Sequence, residues 1–405
     1  MIVAGSSYYA PQYQTYIGNG FDGVVRISSG GYYGSGALLY DGRAILTSAH
    51  LLKDSSGVMA ASASIQFRTA NGTEDVTSSE ISINPSYDPI NGNNDLALIW
   101  LTGTADVAAD RYSLYRSSDE TGKTMTLAGY GIPGIGATGE ESYFSGAPLR
   151  LTAFNRADCD ASELKAGLGD TMAWTPLPGT QLTADFDNGG TANDALGQLI
   201  GKKDTGVGTD EGIISPGDSG GPAFIDGKIA GVASYVTSLS TFSAHPDINN
   251  KTDSSFGEIA AWQRISAYQQ WIDQSLRERF PDAPTAPENV EKTLAEGDNG
   301  SKYVYFLVQF NGLRNSQDEI LSVDYCTRSG TAIAGEDFIT AKGTLRLYPG
   351  ENEAVIPVEV SGDTIKEESE YFFLDITNPV GGTFPGNVPL LTAMRTIIDN
   401  DTANT

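Results

Sequence analysis

Three separate segments of the chain carry side chains that together could catalyse acyl transfer. The 405 residues include two histidines, so an imidazole general base must be His50 or His245. His50 ends the largely apolar segment 34–50, whereas His245 lies in a polar loop before a proline, where a solvated role is expected. Asp95 opens the apolar run 96–101, which would carry its carboxylate to the edge of a buried region. A carboxylate there needs a strong partner, and the imidazole of His50 would serve.

The third segment is residues 217–222, Gly-Asp-Ser-Gly-Gly-Pro, which surround Ser219 with glycine. Glycine permits unusual backbone angles and leaves the serine hydroxyl unobstructed. It also lets the backbone N–H groups of Gly217 and Ser219 converge on one point, as an oxyanion hole requires. Each residue alone has a simpler explanation, but the three segments together predict a nucleophile, a base and an orienting acid.

The elements that must position these residues are short and rich in strand-forming residues. Most apolar runs contain Val, Ile, Thr and Tyr and end at Gly, Asn, Asp or Pro, and the chain has 47 glycines. Helix signals are sparse, and the best candidate covers residues 266–279, where apolar residues recur at helical spacing. Beyond it, runs at 303–310, 321–327, 344–348 and 354–360 are spaced like the strands of a β-sandwich.

A proline-rich segment, residues 281–287, separates two predicted domains. Its three prolines stiffen the backbone and disfavour helix, as in interdomain linkers. We therefore predict an enzyme domain over residues 1–280 and a β-sandwich over residues 288–405. The two cysteines, Cys159 and Cys326, fall on opposite sides of the segment, so a disulfide is not expected.

Composition and charge exclude several classes of function. The net charge is −26, with 51 acidic against 25 basic residues, which disfavours binding to nucleic acids or anionic membranes. Apolar runs long enough to span a membrane are absent, as are phosphate-binding glycine loops and zinc-ligand spacings. A signal peptide is not visible either. Exported bacterial proteins often lack disulfides, so we expect a secreted, periplasmic or cell-surface bacterial protein that acts on proteins or peptides. The oligomeric state is not predicted.

The three segments resemble the signature blocks of the trypsin/chymotrypsin family, in that family's order of His, Asp and Ser. Further similarities are the segments Ile-Val-Ala-Gly at 2–5, Gly-Tyr-Gly at 129–131, Ser-Tyr at 234–235 and Trp-Ile at 271–272. The resemblance covers residues 2–280 and implies an all-β fold of two six-stranded barrels with a C-terminal helix. It also implies a serine endopeptidase in which Ser219 attacks, His50 relays the proton and Asp95 orients the imidazole. This chemistry requires no cofactor.

The same resemblance implies roles for residues around the triad. Ser234 would hydrogen-bond Asp95 from behind, and the backbone of Ser234, Tyr235 and Val236 would pair with the substrate. Asp218 would form an ion pair with the α-amino group of Ile2 after upstream residues are removed. Met1 blocks that pair, so the chain as written is expected to be precursor-like.

Ile213 and Val236 are expected to set the substrate preference. Ile213 stands six positions before Ser219, where trypsin-like enzymes place an aspartate. An apolar floor cannot neutralise a substrate Arg or Lys. Val236 replaces a glycine that usually keeps the pocket open. We therefore expect an elastase-like preference for small or medium aliphatic residues before the scissile bond.

The C-terminal part resembles the Calx-β domain, a calcium-binding sandwich, over about residues 288–402. The resemblance rests on the motifs Val-Asp-Tyr at 323–325, Gly-Thr-Ala at 330–332, Gly-Glu-Asp-Phe at 335–338, Tyr-Pro-Gly-Glu at 348–351 and Ile-Ile-Asp-Asn-Asp at 397–401. It implies calcium ligands at Glu296, Asp337, Asp363, Glu367, Asp399 and Asp401. Asn400 replaces an expected aspartate. A purely structural acidic sandwich is the alternative.

A second candidate calcium site is the acidic stretch 185–194, which contains Asp185, Asp187, Asn188, Asn193 and Asp194. Hard oxygen ligands around a flexible turn suit calcium. An ordinary turn rich in Asp and Asn would explain the same residues.

Two alternatives to an active protease stay open. One is a catalytically silent homologue that serves as an extracellular binding or adhesion protein. The other is an adhesin in which the sandwich provides the function and the barrel domain only matures it.

Overall fold

The computed structural model describes residues 2–53, 57–141, 148–310, 316 and 319–401. The chain divides into two compact units. The first comprises Met1–Leu39, Arg43–Gly103 and Ala108–Gln269, and the second comprises Tyr40–Gly42, Thr104–Val107 and Gln270–Thr405. None of the helices in the described ranges has the length and apolar composition that crossing a membrane needs.

Strands dominate the first unit, as the short β-branched runs predict. Its first strands are β1 (Ile2–Ala4), β2 (Val24–Ser29), β3 (Tyr32–Leu38), β4 (Ala44–Thr47), β5 (Ser64–Thr69), β6 (Gly72–Ile83) and β7 (Ala97–Leu101). They are followed by β8 (Thr124–Gly129), β9 (Gly134–Ile135), β10 (Gly139–Glu140), β11 (Leu151–Arg156), β12 (Cys159–Asp160) and β13 (Gln181–Asp185). The last are β14 (Gly212–Ile214), β15 (Pro222–Ile225), β16 (Lys228–Thr237) and β17 (Ile259–Arg264).

These strands form one closed barrel and two further sheets. The barrel has the order β2-β3-β4-β7-β6-β5. A seven-stranded sheet follows the order β11-β8-β15-β16-β17-β13-β12, and a four-stranded sheet the order β10-β9-β1-β14. Residues such as Leu127, Ile213 and Trp262 pack between these two sheets in one apolar cluster. The seven-stranded sheet has one strand more than the six expected for the second barrel, because the short β12 adds to its edge by pairing with β13.

Helices occupy the margins of the strands. They are α1 (Ala161–Leu168), α2 (Ala195–Ile200) and α3 (Ile265–Arg277), and one of several short 3-10 turns covers His50–Leu52. Asp160 caps the start of α1 and exchanges hydrogen bonds with Glu163 in a capping box. Asp194 caps the start of α2, and Gly201 ends it in the left-handed conformation. The predicted helix at 266–279 corresponds to α3.

The second unit contains two layers of strands. They are β18 (Thr293–Ala295), β19 (Ser301–Gln309), β20 (Leu321–Ser329), β21 (Lys342–Leu347), β22 (Glu353–Ser361), β23 (Glu370–Val380) and β24 (Leu390–Ile398). One sheet has the order β18-β24-β23-β20-β21, and the other pairs β19 with β22; these pairings are antiparallel except where β18 pairs with β24 in parallel. Their inner faces share a buried cluster that includes Phe306, Val323, Phe338 and Phe372. The expected all-β class, barrel followed by sandwich, is confirmed.

Candidate active site

Strand pairing in the barrel brings His50 and Asp95 to one edge. The end of β4 lies opposite the start of β7, with Thr47 across from Ala97. His50 begins the 3-10 turn just after β4, and Asp95 lies just before β7. Both therefore leave the barrel at the same rim. The backbone N–H of His50 donates to Asp95 Oδ1 at 2.9 Å, which fixes this arrangement.

The three predicted residues form a continuous series of hydrogen bonds. His50 Nδ1 lies 2.7 Å from Asp95 Oδ2, and His50 Nε2 lies 2.8 Å from Ser219 Oγ. Ser234 Oγ donates to Asp95 Oδ2 at 2.6 Å, as the sequence predicts. This is the geometry in which imidazole can accept the serine proton while a carboxylate stabilises the resulting cation. His245 takes no part in this group and is exposed.

Burial and charge shift the pKa values of Asp95 and His50 in opposite directions. Asp95 is only 2% exposed, and burial alone would raise its pKa. The charge of His50 and hydrogen bonds from His50 and Ser234 outweigh burial, so the pKa of Asp95 lies below its ordinary value. Burial likewise lowers the pKa of His50, but the Asp95 carboxylate outweighs it and raises the pKa above its ordinary value.

The loop that carries Ser219 is held by β3. The backbone N–H of Ser35 donates to the carbonyl of Ser219 at 2.8 Å, and Ser35 Oγ donates to the carbonyl of Gly217 at 2.9 Å. Gly217 has φ +97° and Gly220 has φ +81°. A Cβ on Gly220 would lie 1.9 Å from Thr47 Oγ1, so glycine is required there.

Two backbone N–H groups of this loop donate to no backbone carbonyl of the described residues. The N–H groups of Asp218, Gly220 and Gly221 donate to backbone carbonyls. In the described ranges, those of Gly217 and Ser219 have no such acceptor. Both residues stand where the sequence predicts an oxyanion hole, so the loop offers two donors beside the Ser219 hydroxyl.

Two cavities border the triad. One has a volume of about 510 Å³ and is lined by His50, Tyr87, Pro89, Ile90, Asn91, Gly92, Asp95, Ala173, Trp174, Ser234, Tyr235, Val236 and Thr237. The other has a volume of about 500 Å³ and is lined by Gly31, Tyr32, Tyr33, His50, Leu51, Lys53, Ile132, Pro216, Gly217 and Ser219. They are called the first and the second cavity below.

Three of the four predicted substrate-binding residues line a cavity, and the fourth does not. Ser234, Tyr235 and Val236 line the first cavity. Ile213 is fully buried in β14 opposite Val3, and it is absent from the walls of both cavities as far as the structure describes them.

Trp174 is a cavity residue that the sequence analysis missed. Its ring lies 5.6 Å from that of Tyr235, almost perpendicular to it, and its Nε1 donates to the Tyr235 hydroxyl at 3.0 Å. Tyr87 and Ile90 were missed as well. These aromatic and apolar residues lie in loops, so no periodic pattern in the sequence marks them.

Ile2 and Asp218, the two residues of the predicted activation pair, are both described, whereas Met1 lies outside the described residues. Ile2 is buried in β1 opposite Ile214. Asp218 is also buried, and burial raises its pKa. Its carboxylate accepts hydrogen bonds from the backbone N–H groups of Gly131 at 2.8 Å and Ser215 at 3.0 Å.

The second unit gathers predicted calcium ligands into two clusters at the loop ends of its strands. Glu296, Asp399 and Asp401 each place a carboxylate oxygen within 4.8 Å of the others, and so do Asp337, Glu367 and Glu370. Glu370 was not predicted, although it lies three residues after Glu367 in an acidic segment. Carboxylates gathered in this way suit the oxygen coordination of calcium.

The carboxylate of Glu296 is repelled by carboxylates of both clusters. It is 6% exposed, and its Oε1 has no hydrogen-bond partner among the described residues. Burial and then the nearby carboxylates, Asp363 first among them, raise its pKa to about 7. Asp363 itself is exposed and belongs to neither cluster. A divalent cation would relieve this repulsion.

Two family profiles match the chain, one after the other. The Trypsin family profile matches residues 12–272, and the Calx-beta domain profile matches residues 290–401. Sodium/calcium exchanger 2 of Mus musculus is 31% identical over 156 residues, which cover 32% of this chain and 17% of that protein. Sodium/calcium exchanger Calx of Drosophila melanogaster is 40% identical over 82 residues, which cover 20% of this chain and 8% of that protein.

A shorter match links the chain to sodium/calcium exchanger 3 of Homo sapiens. The two are 43% identical over 56 residues, or 14% of this chain and 6% of the exchanger. The chain thus spans less than a fifth of the length of these relatives. The Trypsin profile, by contrast, covers more than half of the chain. This protein belongs to the trypsin family, and a Calx-beta domain follows its trypsin-like domain.

Proposed function

We propose that the chain is a serine endopeptidase that cleaves peptide bonds through an acyl-enzyme. The proposal rests on one observation, the contact series from Asp95 through His50 to Ser219. A silent homologue has no need to keep all three side chains within 2.8 Å of their partners. That is why we favour an enzyme over an extracellular binding or adhesion protein.

In the proposed reaction, Ser219 Oγ attacks the scissile carbonyl as its proton passes to His50 Nε2. The N–H groups of Gly217 and Ser219 stabilise the negative charge on the carbonyl oxygen. The resulting imidazolium is stabilised by Asp95, and it gives its proton to the leaving amine as the carbon–nitrogen bond breaks. Water then attacks the ester with His50 again as base, which releases the acid and restores Ser219.

The open edge of β16 is the proposed binding strand for substrate. β15 pairs with β16 only as far as Val232, whereas β17 continues alongside Tyr235, Val236 and Thr237 on the other side. The remaining edge at Ser234–Val236 can therefore pair with an extended peptide. The first cavity beside it would take the residues that precede the scissile bond.

We propose a preference for small or medium aliphatic residues before the scissile bond. Val236 lines the first cavity and narrows the approach along β16. Farther from the scissile bond, Ile90, Trp174 and Tyr235 offer apolar contacts in the first cavity. Transfer of an apolar substrate side chain from water into this cavity is favourable.

The remaining roles are proposed for the termini of the protease domain and for the sandwich. A free α-amino group at Ile2 would pair with Asp218 and order the Ser219 loop. Residues 281–287 would link a protease domain at 1–280 to the Calx-beta domain at 288–405, whose clusters would bind calcium. An exported protein, secreted, periplasmic or at the cell surface, fits an acidic chain of this kind.

A fluorophosphonate probe tests the central proposal. It reacts covalently with an activated serine, so we expect labelling of the wild-type chain and none of Ser219→Ala. Ser243→Ala, which alters an exposed serine, is the matched control and should label like wild type. Chains beginning at Met1 and at Ile2 are compared. Absence of labelling in both, with the native fold retained, would instead support a binding protein.

Peptide-library profiling tests the proposed preference separately. We expect cleavage after Ala, Val or Leu, and none by Ser219→Ala. Strong cleavage after Arg would refute the proposed aliphatic preference, while leaving the proposed triad intact.

A further inference from the structure

Five carboxylates come together in the trypsin-like unit without any role in the triad. They are Asp158, Asp185, Asp187, Asp194 and Glu211, called the acidic pocket below. None of them lines either cavity beside the triad in the described part of the chain. Four of the five are almost fully buried, with exposures of 2% for Asp185, 0% for Asp187, 3% for Asp194 and 0% for Glu211.

The fold collects these residues from segments that are distant in sequence. Asp185 ends β13, and Asp158 comes just before β12, the neighbour of β13. Glu211 immediately precedes β14. Its Oε1 accepts a hydrogen bond from the backbone N–H of Asp187 at 3.2 Å. The N–H of Asp185 in turn donates to Asp158 Oδ2 at 3.2 Å.

Positive charge inside the protein does not compensate the acidic pocket. Among the described residues, none of its five members forms an ion pair with Lys or Arg. The nearby Arg156 is paired with Asp204 instead, at 2.8 Å. Several buried negative charges without a counter-charge are costly to retain.

The electrostatic consequence is a set of raised pKa values. Burial first, and then Asp187, raises the pKa of Glu211 to about 8. Burial also raises the pKa of Asp187 to about 6, with Asp194 adding repulsion. Burial, with a smaller contribution from Asp204, raises the pKa of Asp158 to about 7. Neutralisation of the pocket, by protons or by a metal ion, would relieve this electrostatic cost.

Asp187 distinguishes a ligand site from an ordinary turn. Its Oδ1 accepts from the backbone N–H of Gly189 at 2.6 Å, which completes the turn. Its Oδ2 is fully buried and has no hydrogen-bond donor among the described residues. A buried carboxylate oxygen almost always has a partner, so this oxygen points to one that is not a protein group.

We propose that the acidic pocket binds one calcium ion, with Asp187 Oδ2 as a direct ligand. Its side-chain donors are carboxylate oxygens, which suit calcium rather than zinc or copper. In the described residues, only the sandwich brings three carboxylate ligands within 4.8 Å of one another. The pocket therefore supplies Asp187 and a second carboxylate, Glu211, directly, with backbone carbonyls and water completing the six to eight oxygens that calcium takes.

Equilibrium dialysis of the full chain against radioactive calcium counts the bound ions. The sandwich clusters are first neutralised by replacing all six of their carboxylates with the matching amides, at Glu296, Asp337, Glu367, Glu370, Asp399 and Asp401, so that ions in the pocket are counted alone. We expect one calcium per chain in this background and none after adding Asp187→Asn. Asp170→Asn, which alters an exposed aspartate of the same unit, is the matched control and should retain the ion.

Two outcomes would overturn the proposal. One is that the sandwich-neutralised chain binds no calcium, a result that holds even where Asp187→Asn fails to fold. The other is that this background and its Asp187→Asn variant bind calcium equally. Glu211→Gln provides the second variant, and at least a tenfold loss of affinity is expected. A melting temperature that rises as the pH falls, and that calcium leaves unchanged, would show that protons neutralise the pocket instead.

Discussion

Replacing Asp95 by asparagine should slow catalysis while leaving the fold in place. The substitution keeps the size of the side chain and removes its charge. Asp95 is 2% exposed and accepts hydrogen bonds from the N–H and ring of His50 and from Ser234. Asparagine can present its amide N–H to the imidazole, which then takes the wrong tautomer and cannot accept the proton of Ser219.

The size of the effect follows from the distance between the two groups. With 2.7 Å between His50 Nδ1 and Asp95 Oδ2, the charge centres lie roughly 4 Å apart in the imidazolium state. At an effective dielectric constant of about 20, that attraction amounts to about 4 kcal/mol. Since each 1.36 kcal/mol is a factor of about ten in rate, its loss lowers kcat about 10³-fold. The tautomer effect brings the expected loss to about 10⁴-fold, the scale known for triads of this kind.

The assay is hydrolysis of a peptide substrate over pH 5 to 9, with kcat and kcat/KM measured separately. His50 must be neutral to accept the proton, and the Asp95 charge raises its pKa, so wild-type activity should fall on acidification through a pKa above about 6.5. In Asp95→Asn that acid limb should shift to lower pH. Asp170→Asn should match wild type in both respects. A variant with kcat within threefold of wild type, or with an unmoved acid limb, would refute the reasoning.

Three further perturbations test other parts of the site. In Gly217→Ala, the new Cβ would lie 2.4 Å from the Tyr33 ring and 3.0 Å from Gly131 Cα, so a displaced oxyanion donor should lower kcat about 10²-fold or more in peptide hydrolysis. Val236→Gly should extend cleavage to larger side chains before the scissile bond, and an unchanged peptide-library profile would contradict the proposed role of Val236. The pKa of Glu296 rises from 4.5 to about 7 on folding, so without calcium the folded state binds its proton more tightly than the unfolded state. Stability in chelator should therefore fall as the pH rises from 5 to 8, and Glu296→Gln should weaken this dependence in thermal melts.

The fold was largely predictable because its elements are short and locally marked. The strand predicted at 321–327 corresponds to β20, and the run at 354–360 lies within β22. The helix predicted at 266–279 begins and ends within two residues of α3. The exact shape of the second barrel was not predictable, because the pairing of the short β12 with β13 depends on tertiary contacts.

The contacts that join Asp95, His50 and Ser219 were predictable because these residues lie in distinctive local sequences whose order is informative. Ser234 was found in the same way. The cavity walls were not: Trp174 reaches the site from a loop, and only its contact with Tyr235 shows its position. For Ile213 the prediction was wrong. Its spacing from Ser219 placed it in the substrate pocket, whereas its side chain is fully buried in β14.

The acidic stretch 185–194 shows why local sequence cannot distinguish a turn from an ion site. Its residues fit both interpretations. Asp187 Oδ1 completes a turn with Gly189, whereas Asp187 Oδ2 has no hydrogen-bond donor among the described residues. What separates them is burial and the approach of carboxylates from 24 to 27 residues away, through Glu211 and Asp158. The desolvation free energy of the carboxylates distinguishes the two cases. In water the same oxygens would be solvated and would need no cation. When several such groups are buried together, each added negative charge costs more free energy. Binding of a neutralising ion is therefore coupled to folding.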